Sequence, residues 1–161
     1  MSPRIITALF AAGAGLALAG CFQGAKPAAM NDYGLYFQDE GGDAKLAYGL
    51  ANSDDVGLML QCAKGSGRVQ VSDVARDPKR TALILASLGR QSQLNAHVQA
   101  DSDSAGTILV ADTRADIPAL TGFRATGLMQ VRAGGFGYDI TANPAERVAV
   151  ARFFAACGQG A

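Results

Sequence analysis

The chain has 161 residues, 14 basic and 14 acidic, with one histidine, three cysteines and no tryptophan. With no formal net charge it lacks the long-range field that nucleic acid or an anionic lipid surface selects, so nucleic-acid binding is excluded as an expected role. The length suits one domain that buries a core without many covalent staples.

The first element is an address. The amino terminus and Arg4 give a charged head, and Ile5 to Ala19 is apolar without an ionisable residue. Such a run falls short of the roughly 20 residues that cross a bilayer as a helix. Head, apolar body and small-residue exit together have the layout of a secretory signal peptide over residues 1–20. The run closes on Leu18-Ala19-Gly20-Cys21. This tetrapeptide resembles the lipobox of bacterial lipoproteins: a branched apolar residue, two small residues, then cysteine. The resemblance is confined to these first residues. It implies diacylglycerol on the Cys21 sulfur, cleavage between Gly20 and Cys21, and N-acylation of the new terminus. It makes the lipid bilayer a partner through acylated Cys21. Two or three acyl chains hold far more firmly than one. Phe22, not Asp, follows Cys21, which by resemblance to Gram-negative lipoprotein sorting implies the outer membrane, facing the periplasm.

Residues 21–32 read as a flexible tether. They carry no apolar period, and Pro27 blocks a helix. A chain of about ten such residues averages about 15–20 Å end to end, so the folded part is expected close to the membrane. Without Arg4 the mature chain has a net charge near −1, still no field for polyanions.

With Cys21 assigned to lipid, Cys62 and Cys157 remain. An even pair in an oxidising compartment reads as a disulfide. The alternatives are two buried thiols or a metal pair, although two cysteines and one histidine make a poor metal set.

From residue 33 the pattern is mostly of period two, broken by glycine-rich turns, and residues 33–161 read as a single β-rich domain. Tyr33, Leu35 and Phe37 alternate ahead of Glu40-Gly41-Gly42-Asp43, and Leu46, Tyr48 and Leu50 alternate after it, the signal of a hairpin. Asn52-Ser53-Asp54-Asp55 is a turn cluster. Val56, Leu58, Leu60 and Cys62 are expected on one face of the next strand. Lys64-Gly65-Ser66-Gly67 reverses the chain, and Val69 and Val71 face inward. Asp73 to Arg80 reads as a connection. Thr81 to Leu88 fits a strand buried on both faces, or a short helix. Gln91 to Ala100 reads as one strand with Leu94, Ala96 and Val98 on its dry side and His97 among glutamines on its wet side. Asp101 to Gly106 is a turn, Thr107 to Ala111 a strand, and Arg114 to Phe123 an irregular turn or short helix. Leu128 to Arg132 and Phe136 to Thr141 flank Gly134-Gly135, another hairpin.

The C-terminal segment carries the clearest helix signal. Asn143 caps, Pro144 takes the first helical position, and Glu146 stands three after the cap. Val150, Phe153, Phe154 and Cys157 then define an apolar face, so a bridge to Cys62 would pin the helix to the inner face of a strand. The fold class expected is mainly β: an antiparallel sandwich or barrel-like domain of about eight or nine short strands with a C-terminal α-helix.

Chemistry is sparse. His97 is the sole candidate base near neutral pH. A Ser-His-Asp set drawn from Ser102 or Ser104 lacks the Gly-x-Ser-x-Gly elbow. Asp54-Asp55 and Asp101/Asp103 stand where turns are required and match no EF-hand. Gly65-Ser66-Gly67 lacks the lysine and following helix of a phosphate loop. Tyr33, Tyr36, Phe37 and Tyr48 put four aromatics in the first hairpin; alternation turns Tyr36 outward, as a stacking surface for carbohydrate or peptide. No catalytic set, cofactor or metal is expected. The role expected is a non-catalytic binding or interaction domain of a membrane-anchored envelope lipoprotein, with an envelope protein as a possible partner. The alternatives are a periplasmic inhibitor of a lysozyme-like hydrolase, or a small hydrolase.

Overall fold

The fold is given by a computed structural model that describes residues 30–77, 79, 81–101 and 106–158. The signal peptide, Cys21 and most of the tether lie outside the described residues, as do Ser102 and Ser104.

A 3-10 turn at Met30–Asp32 leads into β1 (Tyr33–Glu40), β2 (Asp43–Leu50), β3 (Val56–Ala63) and β4 (Arg68–Val74). Then come β5 (Ala82–Ser87), β6 (Arg90–Asn95), β7 (His97–Ala100) and β8 (Thr107–Arg114). Helix α1 (Pro118–Thr126), β9 (Leu128–Ala133), β10 (Phe136–Thr141) and helix α2 (Pro144–Cys157) complete the chain. The strands form two antiparallel sheets, one in the order β1-β2-β3-β4-β8-β7 and one in the order β10-β9-β5-β6. The arrangement is a sandwich, as the alternation implied.

The expected single strand over residues 91–100 is two strands in different sheets. Asn95 pairs with Ala82 in the four-stranded sheet, and His97 pairs with Val110 in the six-stranded one. Ala96 carries the chain across. The inward alternation of Leu94, Ala96 and Val98 survives the crossing because both sheets face one core. The crossing also raises the strand count among the described residues to ten, above the expected eight or nine. Two further expectations are corrected. Asp73 and Val74 belong to β4, not to a connection, because β8 pairs with that strand as far as Val74. Thr81 to Leu88 is not buried on both faces: Leu83 and Leu85 are fully buried, Ile84 and Ala86 half-buried and Ala82 exposed.

Leu88 and Gly89 form the two-residue turn between β5 and β6, both at positive φ (51° and 70°). Such a turn favours Asn or Gly at its first position. Leu88 instead stands 64% exposed in a conformation that costs a branched side chain energy. Leu88→Asn is therefore expected to stabilise the domain by about 0.5–1 kcal/mol, read as a higher urea midpoint. A lower midpoint would mean that the Leu88 side chain contributes packing that outweighs its backbone.

The helices close the sandwich. No side chain caps α1 at Ile117, but the Ser92 hydroxyl accepts from the Ala119 N–H at 3.3 Å. Helix α2 carries the expected capping box. Asn143 Oδ1 accepts from the N–H groups of Ala145 and Glu146, at 2.9 and 3.0 Å, and Glu146 Oε2 accepts from the Asn143 N–H at 2.8 Å. Glu146 does one thing more: its Oε1 accepts from the Leu35 N–H at 3.1 Å. That bond occupies a donor on the free edge of β1, a position otherwise open to strand addition. At the far end of α2, the N–H groups of Gly65 and Gly67 donate to the carbonyls of Ala156 and Cys157, both at 2.9 Å. Cys157 is bonded to Cys62, with Cα atoms 5.6 Å apart. Val150, Phe153 and Phe154 are buried on the face the spacing assigned, and Phe154 meets Phe123 of α1 edge-on.

Candidate binding face

The outer face of the six-stranded sheet is assembled by register from residues far apart in sequence. One cross-strand row runs Gln38–Lys45–Gln61–Gln70–Asp112 over β1, β2, β3, β4 and β8. The adjacent row runs Tyr36–Ala47–Met59–Ser72–Val110–His97 and reaches β7. Long amides thus stand beside a row whose middle members are short or flexible.

The next row is hollower still. Gly34 of β1 pairs with Gly49 of β2, which pairs with Val56 of β3 across a register shift. Gly57 is the extra residue of this bulge, which reverses the expected placement of Val56: Val56 lines the outer groove instead of continuing the inner face of Leu58, Leu60 and Cys62. Gly49 has no alternative, since a Cβ there would stand 2.4 Å from the Asp55 carbonyl oxygen.

The result is a groove of about 960 Å³ on the outer face. The β2–β3 turn, with Asn52, Ser53 and Asp54, walls one side, and Gln99 and Asp101 stand on the other. Its floor is apolar: Ala47, Met59, Val110 and Ile108. Its polar lining is mostly neutral, with Gln38, Gln61, Gln70 and Ser72 prominent. Lys45, the lining cation, is paired with Glu40 at 3.1 Å.

Tyr36 edges this groove and is 40% exposed, facing outward as alternation required. Its ring lies back along β1, with the hydroxyl 3.0 Å from where a Gly34 Cβ would be. The missing side chain at Gly34 lets the ring lie against the strand. The other aromatics of the first hairpin turn toward the core. Tyr48 is buried, Tyr33 and Phe37 are half-buried, and the Arg152 guanidinium lies 4.6 Å from the Phe37 ring centre.

The residues considered for chemistry are dispersed. His97 is exposed on β7 at the end of a row. Asp55 serves its turn: its N–H donates to Ser53 Oγ, and its carboxylate accepts from the Tyr33 hydroxyl at 2.6 Å. Burial and that carboxylate push the Tyr33 phenol up to about 12. Gly65-Ser66-Gly67 is spent on turning the chain and capping α2. Among the described residues, no three of His, Cys, Asp and Glu stand together as a metal site would require.

One group with displaced chemistry lies outside the residues that the sequence singles out. Asp73 is only 4% exposed, on the inner face of β4, in the row Leu35–Tyr48–Leu58–Asp73–Leu109. Burial pushes its carboxyl up to about 7, against the opposing pull of the Tyr138 hydroxyl, Arg76 and the Val74 backbone. The Tyr138 hydroxyl donates to Asp73 Oδ2 at 2.5 Å, and burial beside this carboxyl raises the Tyr138 phenol in turn. Tyr138 stacks on Tyr48 at 5.9 Å, and Arg76 lies 4.1 Å from the Phe136 ring centre. Such a displacement can mark a functional site. Here the acid is buried and its oxygen is engaged by Tyr138, so its effect falls on stability. The sequence signal was present: Asp73 continues the inward alternation of Val69 and Val71.

Comparison of the chain with protein-family models, characterised proteins and solved structures found no match.

Proposed function

We propose that this protein is a membrane-anchored envelope lipoprotein whose domain binds, without catalysis, a component of the cell envelope in the groove on its six-stranded sheet. The observation that carries the binding reading is the groove itself: an apolar floor, a mostly neutral lining rich in amides and one exposed tyrosine, on a scaffold stapled by a disulfide. Rigid elements hold a recognition surface better than loops do. The lipid anchor rests on the Leu18-Ala19-Gly20-Cys21 motif.

Two measurements test the two halves. Mass spectrometry of the mature protein is expected to give an N-terminal peptide that begins at Cys21 and carries fatty acid; an unmodified terminus overturns the anchor. A photo-reactive residue in place of Gln99, at the groove, is expected to give cross-linked products in intact cells. The same group in place of Gln93, on the other sheet, is expected to give none. Equal products from both positions, or none from Gln99, would remove the groove as the binding face.

A further inference from the structure

We infer that the groove takes a neutral, hydroxyl-rich glycan chain. This rests on the groove being the binding face and adds the chemical class of its ligand.

The lining chemistry selects. A primary amide offers two donors and an acceptor that takes two hydrogen bonds, which matches a sugar ring that is donor and acceptor at every hydroxyl. Gln38, Gln61 and Gln70 share one row, and Gln99 stands across the groove. Beside the amides, the half-buried Met59 and Ile108 give an apolar strip suited to the C–H face of a pyranose or to an acetamido methyl group. Tyr36 presents a partly exposed ring at the edge, its hydroxyl end reaching back to Gly34, where a sugar face can stack.

Charge disfavours the competitors. Lys45 is already engaged by Glu40, and Asp54 stands at the wall. A phosphate-bearing or carboxylate-rich polymer would meet more negative than positive charge there. An extended peptide binds most directly by adding to a sheet edge. At β1, beside the groove, Glu146 already occupies one of the donors that such addition would use, the Leu35 N–H.

The test is a titration of the purified mature domain with a soluble β-1,4-linked N-acetylglucosamine hexamer, followed by amide NMR shifts. Saturable shifts confined to the outer residues of β1 to β4, β7 and β8 and to the β2–β3 turn are expected. The affinity is expected to be unchanged between low and high salt, because no ion pair forms. Tyr36→Ala is expected to weaken binding up to about tenfold by removing the stacking contact. Tyr36 is exposed, so the variant is expected to keep its fold, checked by its amide spectrum. A second variant, Gln61→Leu with Gln70→Leu, is expected to abolish saturation. Absence of saturable shifts, or shifts that vanish with added salt, overturns the glycan assignment. If cross-linking from position 99 nevertheless succeeds, the binding face stands and only the ligand class falls. If both fail, the binding reading falls with it.

Discussion

Replacing Cys62 and Cys157 together by Ala is expected to lower stability by about 3–5 kcal/mol, and the melting temperature by roughly 10–15 °C. The bridge spans 95 residues. In the chain-entropy view, a loop of that length restricts the unfolded chain by about 4–5 kcal/mol, of which real bridges often deliver less. The native side works in the opposite direction, since α2 is held by more than its sulfur. Phe153, Phe154 and Val150 are buried, and the β3–β4 loop donates two N–H groups to the last carbonyls of the helix. The double variant should therefore still fold, with an unchanged circular-dichroism spectrum at low temperature. Because its unfolded state is freer to expand, the denaturant slope should also rise. A stability loss below about 1 kcal/mol would show that packing alone sets the position of α2.

Asp73→Asn is expected to stabilise the protein above neutral pH, which is an unusual direction for a change at a buried site. The Asp73 carboxyl titrates at about 7 in the fold, against an ordinary value of 3.8. The native state thus binds a proton that the unfolded chain has already released. Stability contributed by the neutral acid is present below pH 3.8, declines as the pH rises toward 7, and is fully lost above it. Moving a carboxyl from 3.8 to about 7 corresponds to at most about 4 kcal/mol. Asparagine keeps the shape, accepts a hydrogen bond, and carries no charge to bury. Urea unfolding from pH 4 to 8 should show the wild type losing ground to the variant through that window, with the two converging near pH 4. A difference that is independent of pH would mean that Asp73 is not the group that titrates. Tyr138→Phe provides the complementary result. Removing the hydroxyl that donates to Asp73 Oδ2 should destabilise the protein most above pH 7, where the carboxylate is charged and would lose that donor.

The two experiments bear on different parts of the chain-to-fold relation. The bridge was legible: two cysteines remained once Cys21 was set aside, one on a clear strand and one on the apolar face of a capped helix. The titrating acid was hidden. A carboxylate followed by a proline-containing polar stretch looks like the start of a loop. Only the pairing of β4 with β8 as far as Val74 shows that the strand still runs at Asp73. The groove was partly legible. Alternation turned Tyr36 outward and the glutamines to wet faces, but no local pattern says which amides become neighbours. Gln38 and Gln70 share a row because β2 and β3 intervene in register, and that register depends on Glu40↔Asp43 at one turn and on the bulge at Gly57 near the other.

By itself, the sequence determined what depends on neighbours within a few residues. The Gly41-Gly42 and Gly134-Gly135 hairpins, the Asn143–Glu146 capping box and the buried helical face from Val150 to Cys157 all follow from backbone freedom, capping and periodicity at short range. Tertiary structure alone decided the rest. It divided residues 90–100 between two sheets at Ala96, turned Val56 outward, buried Asp73 beside Tyr138 and Leu109, and gathered the groove from strands far apart in the chain. The reason is that strand pairing is non-local. A one-residue change of register exchanges the two faces of a strand while leaving its own alternation intact, so the pattern within a segment cannot report which side of the sheet its neighbours occupy.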